Sequence, residues 1–367
     1  MEIIRQGRCK MDRIRMKKIG RPFVAACAIV LVVVGFSLVD FVRAAAAKPV
    51  HIVIHDPAMS RGYTKAWEWW AKEVEKQTNG EVTFEILWGG PLGSFKEALD
   101  GISKGVFDMA MVIPTYDPAK LPLWTAFECP FLSRSMWAFG RALWDMKDIP
   151  VLKKEFEQWN VKVMIPIMPT SFEIMSRKPC RNLADLKGLK IRAYGMFAEV
   201  LGHFGAQSVS IASPQIYENM QRGVVDAAIL PWPDFYVKYG VYELSSYGLV
   251  LGGFGYIVAP LSINMDTWKK IPAKNQEIMI KLARQAVDKN IEISKKEAAP
   301  ALAKIKEKGI EVNYLSTAER DQMVEVAKKI WDRWVETQEK AGRKEARMVM
   351  DTFIKKVKEY EPQDPFK

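Results

Sequence analysis

Arg192 closes a short apolar run, Gly188-Leu189-Lys190-Ile191-Arg192, and the chain turns soon after it at Gly195. The pattern predicts a buried strand with a guanidinium at its carboxyl edge, which is where ligands bind in open α/β sheets. A guanidinium is a rigid fork of donors that suits a carboxylate. A second run, Val225 to Leu230, ends at Pro231-Trp232-Pro233 and brings an indole to the same kind of edge. A third, Val106 to Val112, ends at Ile113-Pro114-Thr115-Tyr116. Together these residues suit an organic acid: one cation for the carboxylate and aromatic faces for the carbon skeleton.

Catalytic chemistry has little to draw on. The chain holds three histidines: His51 within a strand pattern, His55 at its end, and His203 on a helix. No HExxH, CxxC, GxSxG, Walker or Rossmann phosphate motif is present. His203 reads as a helix-face residue, and only His55, near the crevice, is kept as a candidate acid or base. Asp226, at a helix-to-strand junction, reads as a backbone cap. Cys129 and Cys180 are expected either to pair or to be buried as small hydrophobes. The expectation is a protein that is not an enzyme and has no catalytic residue, metal or cofactor.

The elements that must carry these residues alternate. Val50 to Ile54 and Val82 to Leu87 read as strands around an amphipathic helix, Tyr63 to Lys76, whose Trp67, Trp70 and Val74 share one face. Ser94 to Ser103 reads as a helix before the strand at Val106, completing a βαβαβ unit. Helices are expected over Ser135 to Met146 and Val151 to Trp159, and strands over Val161 to Ile167 and Ala259 to Asn264. Beyond Arg192, Ser213-Pro214 reads as an N-cap and first helical position. Towards the C-terminus Asp266 is expected to cap a short helix and Pro272 to open a long one to about Lys308. Ile310 to Tyr314 reads as a strand, Ser316 to Glu319 as a capping box, and Ala341 to Lys358 as a last helix. The alternation of short β-branched runs with helices predicts an α/β fold.

The stretch DLKGLKIR, then a helix, a Ser-Pro-x-x-Tyr helix, MQRGVVDAA and a proline, resembles the extracytoplasmic solute receptors of TRAP transporters, the DctP type. Gly90-Pro91-Leu92-Gly93-Ser94, Gly105 to Ala110 and Leu123 to Phe131 resemble further motifs of that family. The resemblance spans nearly the whole chain after its leader. It implies a two-lobed, type II periplasmic-binding-protein-like fold with discontinuous lobes and long C-terminal helices, closing around a small organic acid. The implied partners are the small and large membrane permease subunits, usually sodium-coupled. Residue for residue, Arg192 corresponds to the arginine that the family uses for the ligand carboxylate. The alternative for Arg192 is an ion pair with Asp185 or Glu199.

Composition fits an exported globular protein. Its 367 residues are 49% hydrophobic and 26% charged, with a formal net charge of +11. Residues 1–47 hold nine basic and three acidic residues, six of those eleven charges, so the remainder carries only +5. Alternating Lys and Glu along its helices read as solvated faces, so no nucleic-acid partner is expected. Basic residues from Arg13 to Arg21, the apolar run Phe23 to Val39 and Ala44 to Ala47 read as a secretory signal, implying a periplasmic location. An uncleaved membrane anchor is the alternative.

The expected organisation is residues 1–47 as signal peptide, 48–169 with 262–309 as lobe one, and 170–261 with 310–367 as lobe two, the chain crossing at Pro169 to Phe172. A monomer is expected, and the long charged helices leave a dimer open. Relatives with polar ligands place a second arginine near Ser171 and polar side chains where Ile113 and Leu230 stand. With Tyr116, Phe172, Tyr194 and Trp232 beside them, this leaves one fixed cation in an apolar crevice. The expected ligand is therefore a monocarboxylate with an apolar or aromatic body. The competing readings are a receptor for an ABC importer or sensor kinase, and a secreted enzyme on the same fold using His55.

Overall fold

The computed structural model describes residues 49–366, so the expected signal peptide lies outside the described residues. In chain order the elements are β1 (Val50–Asp56), α1 (Thr64–Gln77), β2 (Val82–Trp88), α2 (Ala98–Ser103), β3 (Met109–Met111), α3 (Met136–Met146), α4 (Pro150–Glu157) and β4 (Val161–Ile165). There follow β5 (Phe172–Ser176), β6 (Lys190–Arg192), α5 (Gly195–His203), β7 (Gln207–Val209), α6 (Ile216–Gln221), β8 (Ala227–Pro231), α7 (Asp234–Lys238), α8 (Val241–Leu244) and β9 (Tyr247–Val250). The chain ends with β10 (Leu261–Asn264), α9 (Met265–Lys270), α10 (Ala273–Glu307), β11 (Glu311–Tyr314), α11 (Thr317–Lys340) and α12 (Ala346–Tyr360).

Two mixed sheets result. The first has the order β2-β1-β3-β10-β4, with β1 parallel to both neighbours and β10 antiparallel to β3 and β4. The second has the order β11-β9-β5-β8-β6-β7, with β5 antiparallel to β8 and β9. Two segments cross between the sheets and hold each other: the Phe172 amide donates to Gly255 at 2.9 Å, and the Ala259 amide to Ile167 at 2.8 Å.

The alternation of side chains along β1 divides the first core. Ile52 and Ile54 face Trp67, Trp70 and Val74 of α1 and Met279 and Leu282 of α10, all fully or almost fully buried. Trp70 also donates its indole N–H to the Met279 carbonyl at 3.0 Å, tying the N-terminal helix to α10. The other face is covered by α3, α4 and α12 through Phe139, Leu143, Phe156 and Phe353. In the second sheet, Ile174, Ile191, Ile229 and Leu249 meet α5 and α11.

Three local expectations are corrected. The cap of α9 is Asn264, whose side chain accepts the Asp266 and Thr267 amides, because a residue one position before the helix is better placed to reach them. The last helix begins at Ala346, since a turn at Gly342 (φ +87°) follows α11. That helix, assigned to the second lobe from sequence, packs Val349, Met350 and Phe353 against α3 beside the first sheet. Its apolar face has no mark of which lobe it serves. Ser316 and Glu319 do form the expected capping box. Cys129 and Cys180 are buried and unpaired, and burial pushes the Cys180 thiol up to about 12. Among the described residues no helix is long and apolar enough to cross a membrane.

Candidate functional site

β1, β3, β6 and β8 run to their carboxyl edges at one region, two strands from each sheet. Arg192 is at the end of β6, paired with Ala228 of β8, and is 5% exposed. Its Nε–H donates to the Ile211 carbonyl at 2.9 Å, Nη1 to the Ile229 carbonyl at 3.1 Å and Nη2 to the Ser213 hydroxyl at 3.3 Å. Three of the five guanidinium protons are thus used, leaving one on each terminal nitrogen. Neither alternative ion pair forms: Asp185 accepts the Arg181 amide, and Glu199 pairs with Arg333. Ser213, expected as a helix cap, instead meets Arg192, and the turn begins from Ala212.

One aromatic ring lies against this cation, and two further aromatic residues follow β3 and β8. The Tyr194 ring lies 4.9 Å from the guanidinium carbon, a cation–π distance. Tyr116 is 40% exposed, in the short turn Pro114–Tyr116 that follows β3, and stands 6.2 Å from the Phe95 ring. Partial burial raises its phenol pKa, and Arg192 offsets part of the rise. Trp232 follows β8, half-buried, edge-on to Tyr236 at 5.7 Å and with its ring packed over Gly248 of β9, its amide held by the Ser171 carbonyl at 2.9 Å. Leu230 and Ile113 are buried in apolar surroundings. The Ser171 hydroxyl accepts the Gly255 amide at 3.3 Å, so it bonds across the two crossing segments.

Two expected site residues serve the core. Phe172 is 3% exposed and packs on Phe197 at 5.3 Å, on the sheet face with Ile174. His55 is fully buried, tilted on Phe107 at 4.7 Å, with Nε2 3.0 Å from the Gly93 carbonyl. Strand alternation turns it to the face opposite Asp56, so β1 offers the crevice an aspartate where a histidine was expected.

The expectation of a single fixed cation also fails. Arg61, in the loop after β1, is 6% exposed. Its Nη1 donates to Asp56 Oδ1 at 3.1 Å and to the Met59 carbonyl at 2.9 Å, and its Nε to the Tyr63 hydroxyl at 3.0 Å. This loop meets the second lobe: Tyr63 stacks on Phe235 of α7 at 6.2 Å. Burial raises the Tyr239 phenol, and Arg61 and Arg192 both pull it back. Glu128 is also buried here, and loss of solvation pushes its carboxyl up to about 8, with Thr115 opposing. Strand-end reasoning applied to β1 would have reached Asp56 and its loop; nothing in the periodicity marks Glu128.

The charges at the edge then nearly cancel. Arg61 is matched by Asp56, and burial favours the protonated form of Glu128. Arg192 is left as the uncompensated cation, and no cluster suited to a metal ion occurs among the described residues.

Comparison with known proteins agrees with this architecture. The sequence profile of the family described as bacterial extracellular solute-binding protein, family 7 (DctP) matches residues 55–338. A solute-binding protein of Albidiferax ferrireducens is 26% identical over 265 residues, 71% of this chain and 77% of its own. The C4-dicarboxylate-binding periplasmic protein DctP of Rhodobacter capsulatus is 25% identical over 78% of this chain and 85% of its own. A TRAP periplasmic solute binding protein from Desulfovibrio salexigens superposes with a TM-score of 0.77 at 25% identity, covering 87% of this chain and 98% of that one. A TRAP solute binding protein from Rhodoferax ferrireducens, in complex with copurified benzoate, superposes with a TM-score of 0.76 at 21% identity, covering 86% and 99%.

Proposed function

The chain belongs to bacterial extracellular solute-binding protein family 7, the solute receptors of TRAP transporters, and from that premise we propose that it captures a monocarboxylate with an apolar or aromatic body. The observation that carries this reading is the 5% exposed Arg192, which no acidic side chain pairs among the described residues and whose guanidinium carbon lies 4.9 Å from the Tyr194 ring. Its two free N–H groups match one carboxylate. A second carboxylate in the same space would meet Asp56-neutralised Arg61 and protonated Glu128, and would be buried at a cost of several kcal/mol. The benzoate held by the Rhodoferax protein is in keeping with this choice, whereas the dicarboxylate of the Rhodobacter relative calls for a second cation that here is already paired.

Within this reading Arg192 and Tyr194 receive the ligand from the second sheet, Tyr116 from the first, and Trp232 covers its skeleton, with Ile113 and Leu230 beneath. Ser171 sits at the hinge formed by the two crossing segments, around which residues 48–169 with 262–309 and residues 170–261 close. Only closed lobes touch the ligand from both sides, which gives the closed form its higher affinity. The chain acts as a binding receptor in the periplasm and passes its ligand to the two membrane subunits.

Native mass spectrometry of the purified protein, followed by identification of the released ligand, tests the proposal. A released acid with one carboxyl group and an apolar or aromatic body is expected; a C4-dicarboxylate or a sugar acid would overturn it.

A further inference from the structure

The Arg61–Asp56 pair is left half-made. One oxygen and one nitrogen join it, while Asp56 Oδ2 and Arg61 Nη2 are both buried and have no partner in the protein. Asp56 is fully buried and Arg61 is 6% exposed, so bulk water does not serve either atom freely. The rest of the pair is fixed. Asp56 Oδ1 also takes the Ala58 amide at 2.9 Å, and Arg61 Nη1 and Nε are held by Met59 and Tyr63. What remains is one donor group and one acceptor atom on a neutral ion pair. The guanidinium lies 5.6 Å from the Phe95 ring, which in turn stands 6.2 Å from the ring of Tyr116.

A second carboxylate would suit the nitrogen but would be repelled by the oxygen. An apolar ligand end would leave both unpaired. A hydroxyl satisfies both, accepting from Arg61 and donating to Asp56, and so matches the site better than either. We propose that Asp56 and Arg61 form a hydroxyl-recognising subsite, which selects acids bearing an alcohol or phenol group at the end remote from the carboxylate. This rests on the reading that Arg192 takes the carboxylate of an apolar or aromatic acid.

The test is calorimetry on the purified wild-type chain with benzoate, phenylacetate and their three monohydroxy isomers each. At least one hydroxy isomer is expected to bind tenfold or more tightly than its parent, because a buried polar pair rejects the analogue that lacks the group. Methylating that hydroxyl should abolish the gain. Asp56→Asn should reduce the hydroxy-to-parent ratio below threefold, whatever the variant's affinity for the parent acid. The ligand series on wild type decides the matter even if the variant fails to fold. Parent and hydroxy acids binding within threefold of each other would overturn the subsite and leave the Arg192 reading standing. Failure of every acid in both series to bind, and of branched apolar monocarboxylates as well, would overturn both.

Discussion

Arg192→Lys keeps the charge and removes the fork. In the wild type, three guanidinium protons are committed to Ile211, Ile229 and Ser213, and one proton on each terminal nitrogen is left for a ligand. An ammonium has three donors diverging from a single atom. If it satisfies the Ile211 and Ile229 carbonyls, one donor remains and the two-point contact with a carboxylate is lost. If it turns to the ligand, a buried carbonyl goes unpaired. Either outcome forfeits one charge-assisted hydrogen bond or orphans one buried group, a loss of about 1.5–3 kcal/mol. That corresponds to binding weakened by roughly 10- to 150-fold. Isothermal calorimetry at pH 7 with the acid recovered from the protein measures it directly, with a melting curve of the unliganded variant to confirm folding. An Arg192→Lys variant that bound that acid within twofold of wild type would refute the assignment of the carboxylate to this side chain.

Further predictions concern stability. Glu128 has a usual pKa of 4.5 and is raised by burial to about 8, so the folded protein holds a proton that the unfolded chain releases between these values. Stability from this group is therefore fully present below about pH 4.5 and is lost as pH climbs to 8. Chemical denaturation should show a free energy lower at pH 8 than at pH 5.5 by about 3 kcal/mol from Glu128 alone. Glu155 and Glu173, both pushed up to about 7 by burial, act in the same direction. Glu128→Gln should flatten the slope, and an unchanged slope would contradict the assignment. Tyr236→Phe removes a buried hydroxyl that accepts the Leu230 amide at 2.9 Å and donates to the Glu173 carbonyl at 2.5 Å. It should destabilise the protein by about 1–3 kcal/mol in denaturant titrations, without a change in cooperativity.

The sequence made the layered α/β architecture legible because each strand is a short apolar run bounded by turn residues and each helix carries a periodic face. Arg192 was legible for the same reason: the run before it fixes the strand, and the strand fixes the edge. Arg61 obeys the same geometry at the end of β1, yet the loop between them has no period from which to set its register. His55 and Asp56 show how sharp that limit is, since a shift of one residue along β1 exchanges the core face for the crevice face. Phe172 is a similar case, an aromatic at a strand start whose side is decided by its pairing with Pro231. Glu128 had no sequence mark, because its burial comes from segments far apart in the chain.

The central claim is that the cleft has charge for one carboxylate and apolar room for the rest of the ligand. A thermal-shift series on the wild-type protein, comparing benzoate, hydroxybenzoates and branched 2-oxo acids with succinate, malate and malonate, addresses it most directly. Ligand stabilisation follows concentration relative to the dissociation constant, about 2.7 kcal/mol at a hundredfold excess. The account predicts clear upward shifts with one or more of the monocarboxylates and none with the dicarboxylates at equal concentration. Strong shifts with succinate or malate and none with the apolar acids would contradict it.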